Sequence, residues 1–541
     1  MRFGFVLSMA LLAAFCPAIH ADDSGSKDKD KDKGKSEASA PVIETFKPEE
    51  KQSEGSVTVG GQKIDYQAMA GTIVVHAKGW DDVPQNADKE AKEGPAEASM
   101  FYAAYFKKGA KATERPITFI YNGGPGSATV WLHMGAFGPR RVIATDGMHS
   151  AGAPYPMVNN DYSLLDASDL VFIDAPGAGF SRIAGKDREK AFYGVDGDAH
   201  AFAEFIKQFL SKYGRWNSPK YLFGESYGTT RNAALIALLE TDNDFNVDFN
   251  GVIMLSQILV FDASADAPEY NPGVDLPYQL ALPTFAATAW YHHKVPGTPG
   301  ELAPFLAEVE KFALGDYAAA LAAGSSLSPE QRNAIAEKLH DYTGLSVEYI
   351  LKADLRINGG KFEQNLPGGD TITGRLDSRF TGPAFDPLSE AAEYDPQSAA
   401  ISSAYVSAFN DYVRKDLKFG EDKRFRLYAD DIKTWIMDHQ PPFSQNPEPR
   451  SLNVIPDLSI AMKYNPKLKI QLNAGYYDLA TPFFEGIYEM QHLQLPQKLQ
   501  DNIEFHYYES GHMVYAREES LKQLHANVAH FISANSNVGS R

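Results

Sequence analysis

The sequence predicts an α/β protein with a mostly parallel central sheet flanked by helices and interrupted by a large, mainly helical insertion. Three observations carry that expectation. Two near-continuous apolar runs, Ile117–Tyr121 and Leu170–Asp174, end in loops rich in Gly and Pro, as strands buried on both faces do. A segment with Phe202, Phe205, Ile206, Phe209 and Leu210 on one helical face separates the second run from the strand Tyr221-Leu222-Phe223. Strand, helix, strand implies parallel pairing. After Val252–Leu255 the strand rhythm stops, and helical patterns continue to the Pro-rich stretch from Gln440 to Pro449.

The remaining elements follow in order. Ser56–Val59, Thr72–Val75 and Met100–Phe106 are β-rich runs between glycine and charged turns, which predicts an antiparallel edge. In the insertion, Leu302, Phe305, Leu306, Val309 and Phe312 share a helix face, and Ser328-Pro329-Glu330-Gln331 combines an N-cap, a first-turn Pro and a capping-box Gln. Strands resume at Lys469–Leu472 and Ile503–Tyr507, and a last helix carries Leu521, Leu524, Val528 and Phe531. No internal repeat is visible.

Composition bounds the function. The chain has 541 residues, 44% hydrophobic and 22% charged, with 27 Tyr and 32 Phe, which suits a large globular core and not a disordered chain. Its net charge of -19 excludes a surface built to neutralise nucleic-acid phosphates. The N-terminal run Phe3–Phe15 is too short to span a bilayer and reads as the apolar part of a secretory signal, with Ala21 as the best cleavage point. The single cysteine, Cys16, lies within it, and the bulky Phe15 disfavours lipoprotein processing. The mature chain is therefore expected to be cysteine-free and exported, periplasmic or extracellular in a bacterium, with no membrane span after signal removal. The expected organisation is a signal peptide over 1–21, a Lys/Asp-rich disordered spacer over 22–54, the N-terminal part of the core over 55–262, the helical cap over 263–455 and the C-terminal part of the core over 456–541. Oligomeric state is not legible.

The residues that could carry chemistry lie at strand ends. Gly224-Glu225-Ser226-Tyr227-Gly228 matches G-x-S-x-G, a pattern weak by itself. Here it follows an apolar strand and precedes the helix-compatible Asn232–Leu239, the setting of a nucleophile elbow. A serine hydroxyl needs a base and an orienting acid. Asp478 falls just past the strand from Lys469, and His512 just past the strand from Ile503. Each alone could be a loop acid or a structural histidine; the order Ser226, Asp478, His512, each on its own strand end, favours a triad in an α/β-hydrolase arrangement. Asn122-Gly123-Gly124-Pro125-Gly126-Ser127 follows another strand. Without a following Lys-Ser or Lys-Thr it fails as a phosphate loop and fits an oxyanion hole, with one N–H from this loop and one from Tyr227. No H-E-x-x-H is present, and His292-His293 reads as a surface pair, so no cofactor and no metal are expected. Asp198 and Glu204 read as solvated carboxylates.

Four blocks together resemble the serine carboxypeptidase family of α/β hydrolases: Asn122-Gly123-Gly124-Pro125-Gly126, Asp174-Ala175-Pro176-Gly177-Ala178-Gly179-Phe180-Ser181, Gly224-Glu225-Ser226-Tyr227 and Gly511-His512-Met513-Val514. The resemblance spans about Thr118 to the C-terminus, loosest across the insertion. It implies Ser226 as nucleophile, His512 as base, Asp478 as its partner, Gly124 and Tyr227 as oxyanion donors, and Asn122 and Glu225 as the binding site for the substrate's free α-carboxylate. It implies peptide substrates with a free C-terminus and release of C-terminal amino acids through an acyl-enzyme. Esterase or acyltransferase activity from the same triad, and a silent binding scaffold, are the alternatives. The chain departs from the family pattern at Ile120, where the family usually has Trp, at Ala136, where it often has Glu, and at Ser127, where its motif has Cys. Arg140 or Arg141 is a candidate to replace the missing carboxylate partners.

Overall fold

The computed structural model describes residues 45–80, 94–242, 246–297, 300–429, 432, 434–444 and 451–538. The expected signal peptide, Cys16 and most of the expected spacer lie outside them. All described residues fall in one compact unit, Ile43–Val83 with Ala91–Arg541.

The chain enters through three long strands, β1 (Glu50–Val59), β2 (Gln62–His76) and β3 (Glu97–Lys107), joined antiparallel. Residues 50–54, expected to belong to a spacer, are thus part of a strand. The polar stretch from Glu50 carries no apolar signal, and the backbone ladder to β2, Glu50 opposite Gly71, makes it a strand while its side chains stay exposed. The next strands are β4 (Ile117–Tyr121), the small antiparallel pair β5 (Arg140–Val142) and β6 (Met157–Asn159), β7 (Asp169–Ile173) and the short β8 (Arg182–Ala184). Helices α1 (Arg188–Phe192) and α2 (Val195–Lys212) lead to β9 (Lys220–Glu225), α3 (Tyr227–Thr241) and β10 (Gly251–Leu255). The insertion holds α4 (Leu276–Tyr291), α5 (Leu302–Phe312), α6 (Ala318–Ala323), α7 (Pro329–Thr343), α8 (Val347–Lys352), α9 (Gly359–Asn365), a hairpin of β11 (Thr371–Thr373) with β12 (Thr381–Pro383), and α10 (Pro396–Lys415). The chain closes with α11 (Ile455–Tyr464), β13 (Lys469–Gly475), α12 (Phe483–Gln491), α13 (Gln497–Gln500), β14 (Ile503–Tyr508) and α14 (Glu518–Asn535).

The ten-stranded sheet runs β1-β2-β3-β7-β4-β9-β10-β13-β14, with β8 attached to β3. From β7 to β14 every pair is parallel. Each of β4, β7, β9 and β10 is buried along its whole length, which explains their unbroken apolar sequences. One sheet face packs on α2, α3 and α11 through Phe202, Phe205, Leu235 and Leu458; the other packs on α14 through Leu521, Leu524 and Val528. This is the α/β-hydrolase architecture.

The insertion is not one helical body. Helices α4, α5, α7 and α9 share a separate core with Tyr477, Leu479 and Phe483 from the β13–α12 segment. Helix α10 instead lays Ile401, Tyr405, Phe409 and Tyr412 into the second sheet-face core. The Ser328 capping box forms as its sequence predicts, Ser328 accepting from the Gln331 N–H and Gln331 from the Ser328 N–H.

Candidate active site

Ser226 stands between the end of β9 and the start of α3 with φ 61° and ψ -130°, a conformation that a non-glycine residue holds only under constraint. Its N–H donates to the Leu255 carbonyl at 2.9 Å, and its carbonyl accepts from the Thr229 N–H and hydroxyl, both at 2.7 Å. Glycine at 224 is required because a Cβ there would run into the Gly228 carbonyl across the turn. Its neighbours are buried, while Ser226 remains partly exposed.

The loop after β4 lies directly against this turn. A Cβ on Gly123 would sit 2.5 Å from the Tyr227 nitrogen and 2.6 Å from that of Gly228, so glycine is the only residue that allows the approach. Tyr227 opens α3, and its N–H has no acceptor within the helix. The loop is fixed from below. Arg231 donates from Nη1 to the Asn122 carbonyl at 2.9 Å and grips Asp198 with Nε and Nη2 at 2.6 and 3.1 Å. Both are fully buried, so the expectation that Asp198 is a solvated carboxylate is wrong: its partner arrives from a helix that sequence distance does not relate to it. Asp174 accepts from the Thr129 N–H at 2.8 Å, and burial raises its carboxyl to about 6 against that bond and one from Phe180. The segment from Arg426 to Ala429 pairs with Gly179 on one side and with Gly126 and Ala128 on the other. The Asp174–Ser181 block therefore braces the glycine loop.

Asp478 and His512 meet beyond β13 and β14. His512 Nδ1 donates to Asp478 Oδ2 at 2.8 Å, leaving Nε2 as the basic nitrogen. Asp478 also accepts from the Ala480 and Thr481 N–H groups at 2.9 and 3.0 Å and from the Thr481 hydroxyl at 2.6 Å. Burial alone would depress the imidazole pKa; the Asp478 charge and hydrogen bond, with Glu225, outweigh it and the shift is upward. Glu225, next to Ser226, is near enough to His512 and Asp478 to feel both charges. Strands β9, β10, β13 and β14 thus bring the three expected triad residues to one end of the sheet.

Sequence reasoning missed what holds the second pair. The turn of the β11–β12 hairpin reaches in from the insertion: the Arg375 carbonyl accepts from the Leu479 N–H at 3.0 Å and the Leu376 carbonyl from the His512 N–H at 2.6 Å. Asp377 Oδ2 accepts from the Gly511 N–H at 3.1 Å, and Ser378 donates its N–H to the Tyr477 carbonyl at 2.9 Å. Arg379 fastens Asp377 at 2.6 Å and Asp146 at 2.9 Å. Thr481 and Ser256, whose hydroxyl donates to the His512 carbonyl at 2.7 Å, were also unforeseen. The one available signal was the β-favouring triplet Thr371-Ile372-Thr373.

Asn122 and Glu225, expected to bind a carboxylate, lie together beside Tyr515. Leu132 donates its N–H to Asn122 Oδ1 at 3.1 Å, which turns the Asn122 amide N–H toward Glu225. Tyr515 donates its hydroxyl to Glu225 Oε2 at 2.8 Å. Burial lifts Glu225 to about 7, although His512, Tyr515 and Asn122 pull it down. Ile120 and Ala136 are fully buried. Arg141 pairs with Glu518 at 2.7 Å and lies over the Tyr162 ring, while Arg140 donates to the Met157 carbonyl at 3.3 Å, so both arginines are engaged elsewhere. Of the histidine pair, His292 bonds the Ser378 carbonyl at 2.6 Å and His293 is exposed. Among the described residues no group of His, Cys, Asp and Glu could hold a metal ion, and no helix is long and apolar enough to cross a membrane.

The family model for serine carboxypeptidases matches residues 90–276, which contain the glycine loop, the Asp174 block and the Ser226 turn. Over that segment the resemblance read from the motifs holds. No functionally curated protein matches the chain. Solved structures that are similar include an esterase from Thermogutta terrifontis (11% identity, 86% of this chain and 99% of that one covered, TM-score 0.31). Others are a proline iminopeptidase from Mycobacterium smegmatis (13%, 90% and 99%, 0.32) and a peroxisomal alpha-beta-hydrolase from Saccharomyces cerevisiae (9%, 86% and 89%, 0.34). The fold rests on the sheet topology itself. The family match over that segment and the sheet topology together support a serine hydrolase.

Proposed function

We propose that this hydrolase is a serine-type carboxypeptidase that releases C-terminal amino acids from peptides. Ser226 Oγ attacks the last peptide carbonyl while His512 Nε2 takes its proton, and Asp478 holds the imidazole in the required tautomer. The N–H groups of Gly124 and Tyr227 receive the oxyanion. His512 then protonates the leaving amine, and water releases the acyl-enzyme by the same base. The observation that carries the reading is the buried Glu225 beside Asn122, one residue from Ser226. A carboxyl lifted to about 7 is protonated in mild acid and can share that proton with a substrate carboxylate; ionised, it would repel it. The alkaline limb of peptidase activity therefore follows Glu225 through about 7, while the acid limb follows His512, which must be neutral to act as base. The N-terminal run Phe3–Phe15 supports an exported, periplasmic or extracellular location.

A second reading, esterase or acyltransferase, is favoured by Ile120 and Ala136, which remove two partners of the carboxylate site. Hydrolysis of an N-blocked dipeptide, its C-terminal amide and a simple ester between pH 4 and 8 separates the two. A strong preference for the free carboxylate is expected; ester cleavage without it would transfer the assignment to the second reading.

A further inference from the structure

We propose that Tyr515 completes the terminal-carboxylate site as a specificity residue, supplying from the His512 side a donor that Ile120 and Ala136 do not provide. The proposal rests on the carboxypeptidase reading. Tyr515, Glu225 and Asn122 cluster together: the Tyr515 hydroxyl lies 2.8 Å from Glu225 Oε2, and the Asn122 side chain is near enough to lower the pKa of both. Each is 3% exposed, so together they are a nearly closed polar floor.

The placement is rigid. Tyr515 belongs to the helical turn Val514–Ala516 that follows His512, closed by the Ala516 N–H on the Met513 carbonyl at 2.7 Å. One short stretch thus carries both the imidazole and the phenol. The tyrosine ring packs over Gly135, where a Cβ would lie 2.8 Å from it and 2.7 Å from the ring of Tyr405. Two aromatic rings therefore crowd the helical turn Leu132–Phe137, next to Ala136.

The chemistry follows from what faces Glu225. Its surroundings are His512 and Asp478 from the last strand ends, Tyr405 from α10, Tyr515, and the Asn122 amide. Arg141, beyond Tyr405, is held by Glu518. Asn122 and Tyr515 are thus the neutral donors on Glu225. With Oε2 taken by the phenol, the proton shared with a substrate carboxylate falls to Oε1, and one geometry of the acid is selected.

The test is Tyr515→Phe in the full-length enzyme, which keeps the ring and removes only the hydroxyl. kcat/KM is measured for an N-blocked dipeptide with a free C-terminus and for its C-terminal amide, from pH 4 to 8. The ratio of the two is expected to fall about tenfold, mainly through KM on the free-carboxylate substrate. The alkaline limb on that substrate moves to higher pH, because the missing hydrogen bond was one that held Glu225 down. Equal losses on both substrates, or any other outcome that leaves the ratio unchanged, overturn the proposal. A ratio near one in the unsubstituted enzyme instead defeats the carboxypeptidase reading, and this inference with it. A high ratio that Tyr515→Phe leaves intact defeats the Tyr515 assignment alone.

Discussion

Asn122, Glu225 and Ser226 are mounted differently from Asp478 and His512. The first three sit at the ends of interior strands, and their positions follow from contacts within the core: Gly123 against the Tyr227 amide, and Arg231 bridging Asp198 to the Asn122 carbonyl. Asp478 and His512 sit on the last two strands, toward one sheet edge, and borrow backbone acceptors and a carboxylate from Arg375 to Ser378 in the insertion. The difference teaches that the insertion does more than cover the sheet. Its hairpin turn is part of the mounting of the imidazole.

Four substitutions break or sharpen that contrast. Ser226→Ala removes the chemistry and leaves both mounts intact: kcat should fall about 10⁴- to 10⁶-fold, and covalent labelling by a fluorophosphonate should disappear. Residual labelling at another serine would refute the assignment. Arg231→Met strands the buried Asp198 charge, and urea unfolding should report a loss of about 3–5 kcal/mol. A loss under about 1 kcal/mol would mean that the core side does not depend on this pair. Asp377→Ala should act on rate as well as on stability: it leaves the buried Arg379 with Asp146 alone and releases the Gly511 N–H, so kcat and the fluorophosphonate labelling rate of the folded protein should drop together by about 10- to 100-fold while KM holds. Equal labelling rates in the two proteins would show that the insertion does not aim His512.

The smallest effect concerns pH. Glu225 is lifted from 4.5 to about 7, so the folded state holds its proton more tightly than the unfolded state does. The stability it contributes is full below about 4.5 and is lost as pH rises toward 7. Glu225→Gln should flatten that decline by on the order of 1–3 kcal/mol, read as a narrower gap between melting temperatures at pH 4.5 and 7.5. The same variant should weaken the alkaline fall in activity on free-carboxylate peptides.

The contrast also explains what could be read without a structure. The candidate residues were legible on both sides because each follows an apolar strand: Ser226 and Asn122 on the core side, and Asp478 and His512 on the side that the insertion braces. The α2 face and the Ser328 cap were legible for the same reason, since a local pattern sets them. The hairpin was not, because Thr371–Thr373 and Thr381–Pro383 are too short for a period, and Asp377 and Arg379 look like surface charges until the turn is folded against Gly511. Asp198 was misread likewise. Its burial depends on Arg231, which only the packing of α2 on α3 brings near. The start of β1 at Glu50 was missed because edge pairing is decided by the backbone.

The strand order also fixes a sequence of events during synthesis. The Ser226 turn, the glycine loop and the hairpin that steadies the imidazole all precede β13 and β14 in the chain, while Asp478 and His512 come with those final strands. A nascent chain can assemble the earlier strands first, as domains do when they fold from the N-terminus. On the proposed roles, such a chain has a serine but no base to activate it. On those roles the hydrolase is armed only once β13 and β14 are in place, and a chain halted before them carries an unactivated serine.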